Sequence, residues 1–143
     1  MQDIDYEIIL KSLVFVADGL AKDLGENGAR ALLRQSGHHA AVNLVGEWHE
    51  QVDVAEAISQ ACPVLETLGF ARQVKLQDAN HIVVRGNVIT AMVQQLELPS
   101  TRHPVYHYAI GLFEGLVYVI SKAHVGIVHH ELEDDCEIWT IGN

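Results

Sequence analysis

Apolar residues at helical spacing dominate the first half of the chain. Ile4, Ile8, Ile9, Leu13, Ala17, Leu20 and Leu24 predict a first helix from about Asp3 to about Leu24, with Gly25 as its stop. Asn27 can cap a second helix that continues to about Val45, with Ala29, Leu32, Leu33, Ser36, Ala40, Leu44 and Val45 on a broad apolar face. Gly37 stands in its middle, where it weakens the helix by up to about 1 kcal/mol relative to Ala. Such a glycine implies either a second helix crossing at close range or a ligand lying against the bare backbone. Asp53 and Glu56 have capping-box spacing, and Val54, Ala57, Ile58, Ala61, Leu65 and Leu68 then line one side of a third helix. Pro63 predicts a kink near Ser59, and Gly69 ends the helix.

Beyond Gly69 the period changes to two. Residues 72–77 alternate polar and apolar, Asp78 to Asn80 form a turn, and the run from His81 to Gly86 is β-branched. Residues 87–98 suit either a short helix or extended chain. Residues 99–104 read as a loop, with Pro104 in the first turn of a fourth helix that reaches about Lys122. A strand from His124 to Leu132, a turn at 133–135 and a strand from Cys136 to Ile141 complete the chain. Short turns make both strand pairs antiparallel. The expected fold is α+β, in the order ααα-ββ-α-ββ: one domain spanning 1–143, with a four-stranded antiparallel sheet packed against about four helices.

Composition narrows the function classes. Apolar residues make up 49% of the 143 and charged residues 20%, which suits a folded core rather than disorder. The net charge of −10 disfavours nucleic acid and anionic membrane surfaces. No apolar run is long enough to span a bilayer. The acidic N-terminus is unlike a signal peptide, and two cysteines form no disulfide framework, so a cytoplasmic protein is expected.

Candidate chemistry gathers near the C-terminus. His103, His107, Gly111 and Gly115 recur every fourth residue on one helical face. Either the glycines open a groove into which imidazoles look, or they mark a tight helix crossing. His107 lies a full turn inside the helix, whereas His103 reads as a solvent-facing terminal residue. His129 and His130 point to opposite sides of a regular strand, so only one can join His107 and Cys136 around a metal. That set suits zinc with one open position, though its spacing matches no standard zinc signature. Cys136 alone at the start of a strand reads more readily as a buried core residue. His38 and His39 diverge on their helix, His49 and His81 carry no pattern, and the acidic tip at 131–135 reads as a solvated turn. Cys62 has no visible partner, and the chain lacks phosphate-loop, dinucleotide and nucleophile-elbow motifs.

Four features together resemble the 4-vinyl reductase domain family. This family belongs to a ligand-binding superfamily that also holds haem-nitric-oxide sensor domains and TRAPP-type tethering subunits. The features are the helix from Gly28 to Val45 with Gly37 inside, Leu68-Gly69-Phe70 leading into a hairpin, His107-x-x-x-Gly111-x-x-x-Gly115, and a last hairpin ending in Asp135-Cys136-Glu137-Ile138-Trp139. Family members place one cysteine four residues before the first of those glycines and a pair on the last hairpin. Cys136 matches the final one, His107 stands at the first, and His129 or His130 lies near the middle one. The Tyr-x-Ser-x-Arg element of the haem sensors is absent, so gas sensing is not implied. The resemblance implies a domain, often homodimeric, that binds a small, mostly apolar molecule such as a tetrapyrrole or other aromatic hydrocarbon. Gly37, His107, Gly111, Gly115 and Trp139 are then its expected ligand contacts. Without a nucleotide-binding element, a binding or accessory role is expected rather than catalysis. The alternatives are a homodimeric scaffold, with the first helix as interface, and a small zinc enzyme using His107, one of His129 or His130, and Cys136.

Overall fold

The computed structural model describes residues 3–48, 50–98 and 103–142; His49 and the expected loop residues 99–102 lie outside the described residues. Helix α1 (Asp3–Val45) contains both of the first two predicted helices, divided where Gly25 leaves helical geometry at φ 79° and ψ 164°. That backbone conformation is essentially open to glycine alone, so Gly25 sets the angle between an N-terminal arm, 3–24, and a C-terminal arm, 26–45. Helix α2 (Val54–Thr67) begins at Asp53, whose carboxylate accepts the Glu56 N–H at 2.9 Å, and it continues past an exposed Pro63.

Strands β1 (Gln73–Asp78) and β2 (His81–Arg85) form the first hairpin. The ambiguous segment that follows is helix α3 (Val88–Gln95), capped by the Asn87 side chain on the Ile89 N–H. Ile89, Met92 and Val93 bury one helical side there, which outweighs the β preference of Val and Ile. Helix α4 (Tyr106–Ser121), β3 (Gly126–Glu133) and β4 (Cys136–Gly142) complete the α+β fold. The sheet order is β1-β2-β4-β3 with every pair antiparallel.

Val74, Ile82, Val84, Ile127, Glu137 and Trp139 are buried on the inner face of the sheet. Helix α4 lies between that face and α1. Its Phe113 meets Trp139 edge-on, with ring centroids 6.0 Å apart, while its Gly111 and Gly115 abut the C-terminal arm of α1. The N-terminal arm departs from the expected apolar stripe. Val14 and Ala17 are fully buried, but Ile8, Ile9, Phe15, Val16 and Leu24 are each more than half exposed. No helix among the described residues is long and apolar enough to cross a membrane.

Candidate functional site

The three helical glycines mark a crossing of helices. A methyl group at Gly37 would overlap the Tyr108 carbonyl and lie 2.6 Å from the Leu112 nitrogen; one at Gly111 would overlap the Arg34 carbonyl. At Gly115 it would sit 2.7 Å from both the Ala41 Cβ and the His38 carbonyl oxygen. Backbone of the opposing helix therefore fills most of the space the glycines leave. Of the two readings of these residues, the close helix crossing holds. Gly37, Gly111 and Gly115 are not ligand contacts; they let α1 and α4 approach and so bring the side chains beside them together.

Those neighbouring side chains enclose a cavity of about 270 Å³ between the C-terminal arm of α1, the start of α4, and β3. Its walls are Arg30 and Arg34 from α1; His103, Tyr106, His107 and Ile110 from the α4 region; and Ile127, Val128, His129 and His130 from β3. Arg34 ties the three elements together. Its Nε donates to Glu114 at 2.8 Å and its Nη2 at 2.5 Å, and Nη2 also donates to the Ile127 carbonyl. Glu114 accepts the Ile127 N–H in turn, at 2.8 Å. Arg30 pairs with Glu26 at 3.3 Å.

An irregularity in β3 decides which histidine faces the helices. The pairing with β4 skips Val128, running from Ile127↔Ile141 directly to His129↔Thr140. The extra residue reverses the alternation, so Ile127 and His130 share the inner face. His130 lies across from Trp139 and is partly buried, while His129 is exposed at the cavity rim and bonds to Glu131 at 3.1 Å.

Behind His130 lies a group the sequence pattern did not single out. Glu137 is 1% exposed on the inner face of β4. Its carboxylate accepts from Thr90 Oγ1 at 2.7 Å, from His130 Nε2 at 2.8 Å, and more distantly from Asn87 Nδ2 and Trp139 Nε1, each at 3.4 Å. Since the carboxylate accepts from the Nε2 N–H, Nδ1 is the His130 atom left for the cavity. This carboxylate–imidazole pair fixes the His130 ring as a second carboxylate or carbonyl does for many functional histidines.

His107 faces the cavity from α4, and its Nδ1 is buried with no hydrogen-bond partner among the described residues. Burial pushes its pKa down to about 4; Arg34, Arg30 and His130 push the same way and Glu114 opposes them. The ring is therefore neutral at pH 7. His103, expected at the surface, is 5% exposed. Its Nδ1 accepts the Val105 N–H at 3.2 Å, and its Nε2 stands 3.5 Å from Asp18. Burial lowers its pKa too, against the pull of Asp18.

The depressed pKa of His107 makes stability depend on pH. Between the ordinary value of 6.5 and about 4, the unfolded chain holds a proton at His107 that the native protein lacks. Stability therefore rises with pH through this window and is lost as pH falls. Because the ring is partly open to solvent, the loss is at most about 2 kcal/mol. Unfolding free energies from urea titrations at pH 4.5 and pH 7 should differ less in His107→Gln than in the wild type, by up to that amount.

The expected zinc set is not assembled. Cys136 precedes inward-facing Glu137, so it lies on the outer face of the sheet, opposite His107 and His130. Among the described residues, no three His, Cys, Asp or Glu side chains come together as a metal site. Trp139 is also corrected: at 1% exposure it packs on Phe113 in the core and does not line the cavity beside His107. Elsewhere, His38, Tyr118 and His124 form a cluster of three rings with centroids 4.6 to 6.0 Å apart, and the His39 carbonyl accepts from the Asn43 side chain. Cys62 is buried, and burial with Glu66 nearby pushes its thiol up to about 11, so it is no nucleophile. A second hollow, lined mainly by apolar residues including Leu10, Leu13, Leu68 and Phe70, lies under the N-terminal arm. The fold and cavity define a small α+β domain with a histidine- and arginine-lined pocket. No protein-family model matches the chain, and no curated protein matches it at a significant level.

Proposed function

We propose that this chain is a non-catalytic ligand-binding domain whose site is the cavity between α1, α4 and β3. One observation carries the reading: two arginines and four histidines from three separate elements converge on that one cavity. A small molecule whose polar group meets these side chains would be held and oriented there. The surroundings suit such a molecule, with a few convergent polar groups beside Ile110, Ile127 and the Tyr106 ring. The resemblance to the 4-vinyl reductase domain family points the same way. A volume of about 270 Å³ stands at the small end of ligand cavities and favours a compact molecule over a tetrapyrrole. The free Cys62 and Cys136 suit a reducing, cytoplasmic setting.

A second reading rests on the exposed Ile8, Ile9, Phe15, Val16 and Leu24 of the N-terminal arm. A homodimeric scaffold would cover such a face. Native mass spectrometry of the purified protein, with an absorption spectrum, separates the two. The ligand-binding reading expects a non-covalent adduct of a small organic molecule on each chain. A dimer with no adduct and no response to added ligands supports the scaffold instead.

A further inference from the structure

Resting on the cavity as the ligand site, we propose that the ligand carries an oxyanion, a carboxylate or a phosphate, on a compact apolar body. The oxyanion seats against Arg34 and His107, beside His130. The distribution of charge favours this. The chain has 19 acidic residues against nine Lys and Arg, yet two arginines and four histidines line this one cavity, and no Asp or Glu does so among the described residues. The acidic groups nearest these side chains already have partners. Glu114 holds Arg34 and the Ile127 N–H, Glu137 holds His130, Asp18 stands by His103, Glu26 by Arg30, and Glu131 by His129.

The donors that remain suit the same ligand. Arg34 spends Nε and Nη2 on Glu114 and the Ile127 carbonyl, which leaves the two N–H groups of Nη1. The planar guanidinium is suited to binding oxyanions. His107 lines the cavity as a neutral imidazole and can offer it a ring N–H. His130 stands beside this seat, its ring held in place through Nε2 by Glu137. The groups facing His130 are Glu137, the Tyr106 ring at 5.3 Å, and His107. Ile110 and Ile127 supply the apolar surface that an aryl or short alkyl body would cover.

The test is a titration of the full chain with benzoate, phenyl phosphate and the neutral isostere benzamide, followed by NMR at the His107 and His130 ring protons. Benzoate or phenyl phosphate should bind at least tenfold tighter than benzamide, and whichever of the two is tighter identifies the oxyanion. The preference should collapse in His107→Gln; Arg34→Gln serves as a second variant, but the wild-type comparison stands even if that protein does not fold. If benzamide binds the same cavity as tightly as the anions, the ligand is neutral; this inference fails and the ligand-site reading survives. If none of the three perturbs the cavity at millimolar concentration, both fail.

Discussion

Gly111→Ala is expected to destabilise the domain by about 3 kcal/mol, the upper end for overpacking in a core, and to lower Tm by about 10 °C. The cost follows from what the new methyl would meet. The obstructing atoms at Gly111 are the backbone of Arg34, including its carbonyl oxygen, carbonyl carbon and Cα. A helix backbone cannot rotate aside as a flexible side chain can, so α1 and α4 would have to separate. Separation at this point also opens the Gly37 and Gly115 contacts and pulls Arg34 from Glu114. The control is Gly19→Ala. That glycine is exposed on α1 with nothing within 4 Å of an added methyl. Replacing it should stabilise the protein by up to about 1 kcal/mol through helix propensity. Thermal unfolding of both variants checks the pair. An unchanged Tm in Gly111→Ala would mean that the helices do not cross at this residue.

Glu137→Ala should cost about 3 kcal/mol and also abolish ligand binding. The side chain is 1% exposed and collects donors from the start of α3, from β3 and from β4 at once. Removing it strands the Thr90 hydroxyl and His130 Nε2, whose bonds to it are 2.7 and 2.8 Å. Deleting one partner of a buried charged network generally costs more than the network contributed, because the others stay desolvated. Glu137→Gln keeps the volume and one acceptor, so it should cost about 1 kcal/mol. Thr90→Val removes a single bond yet leaves His130 oriented. Denaturant unfolding together with a benzoate titration separates the two consequences: Thr90→Val should lose stability and retain binding, whereas Glu137→Ala should lose both.

How much of this was legible in the sequence differs by element. Gly25 and the Asp53 cap marked their boundaries plainly, because each works through local backbone geometry. Alternation at 72–77, the β-branched run after His81 and the short turns at 78–80 and 133–135 mark the two hairpins, and the α+β fold follows. The segment at 87–98 was undecided, since Val88 and Ile89 favour strand locally; the Asn87 cap and burial of Met92 and Val93 decide it. The N-terminal arm was misread on its buried side because its apolar residues cover most of its circumference. The four-residue spacing of Gly111 and Gly115 favours a helix crossing over a groove without deciding it, and the opposing backbone decides it.

The candidate site was half legible. His107 was found by its place one turn into the helix. His130 and His129 could not be ranked, because the skipped Val128 reverses the alternation of β3 and nothing in the local sequence marks that irregularity. Cys136 and Trp139 lie three residues apart on one strand, so they face opposite sides and could not share a site. The same alternation, counted back from Trp139, would have pointed to Glu137. Arg30 and Arg34 were missed although their i, i+4 spacing puts them on one face of α1; that signal was available beside the more prominent histidines.

On this account the cavity beside His107, and not the apolar hollow beside Phe70, holds the ligand. Native mass spectrometry of the wild type, His107→Leu and Leu10→Ser, purified identically, tests it most directly. The adduct should be present on the wild type and on Leu10→Ser and missing from folded His107→Leu. An adduct retained by His107→Leu and lost from Leu10→Ser would contradict the account.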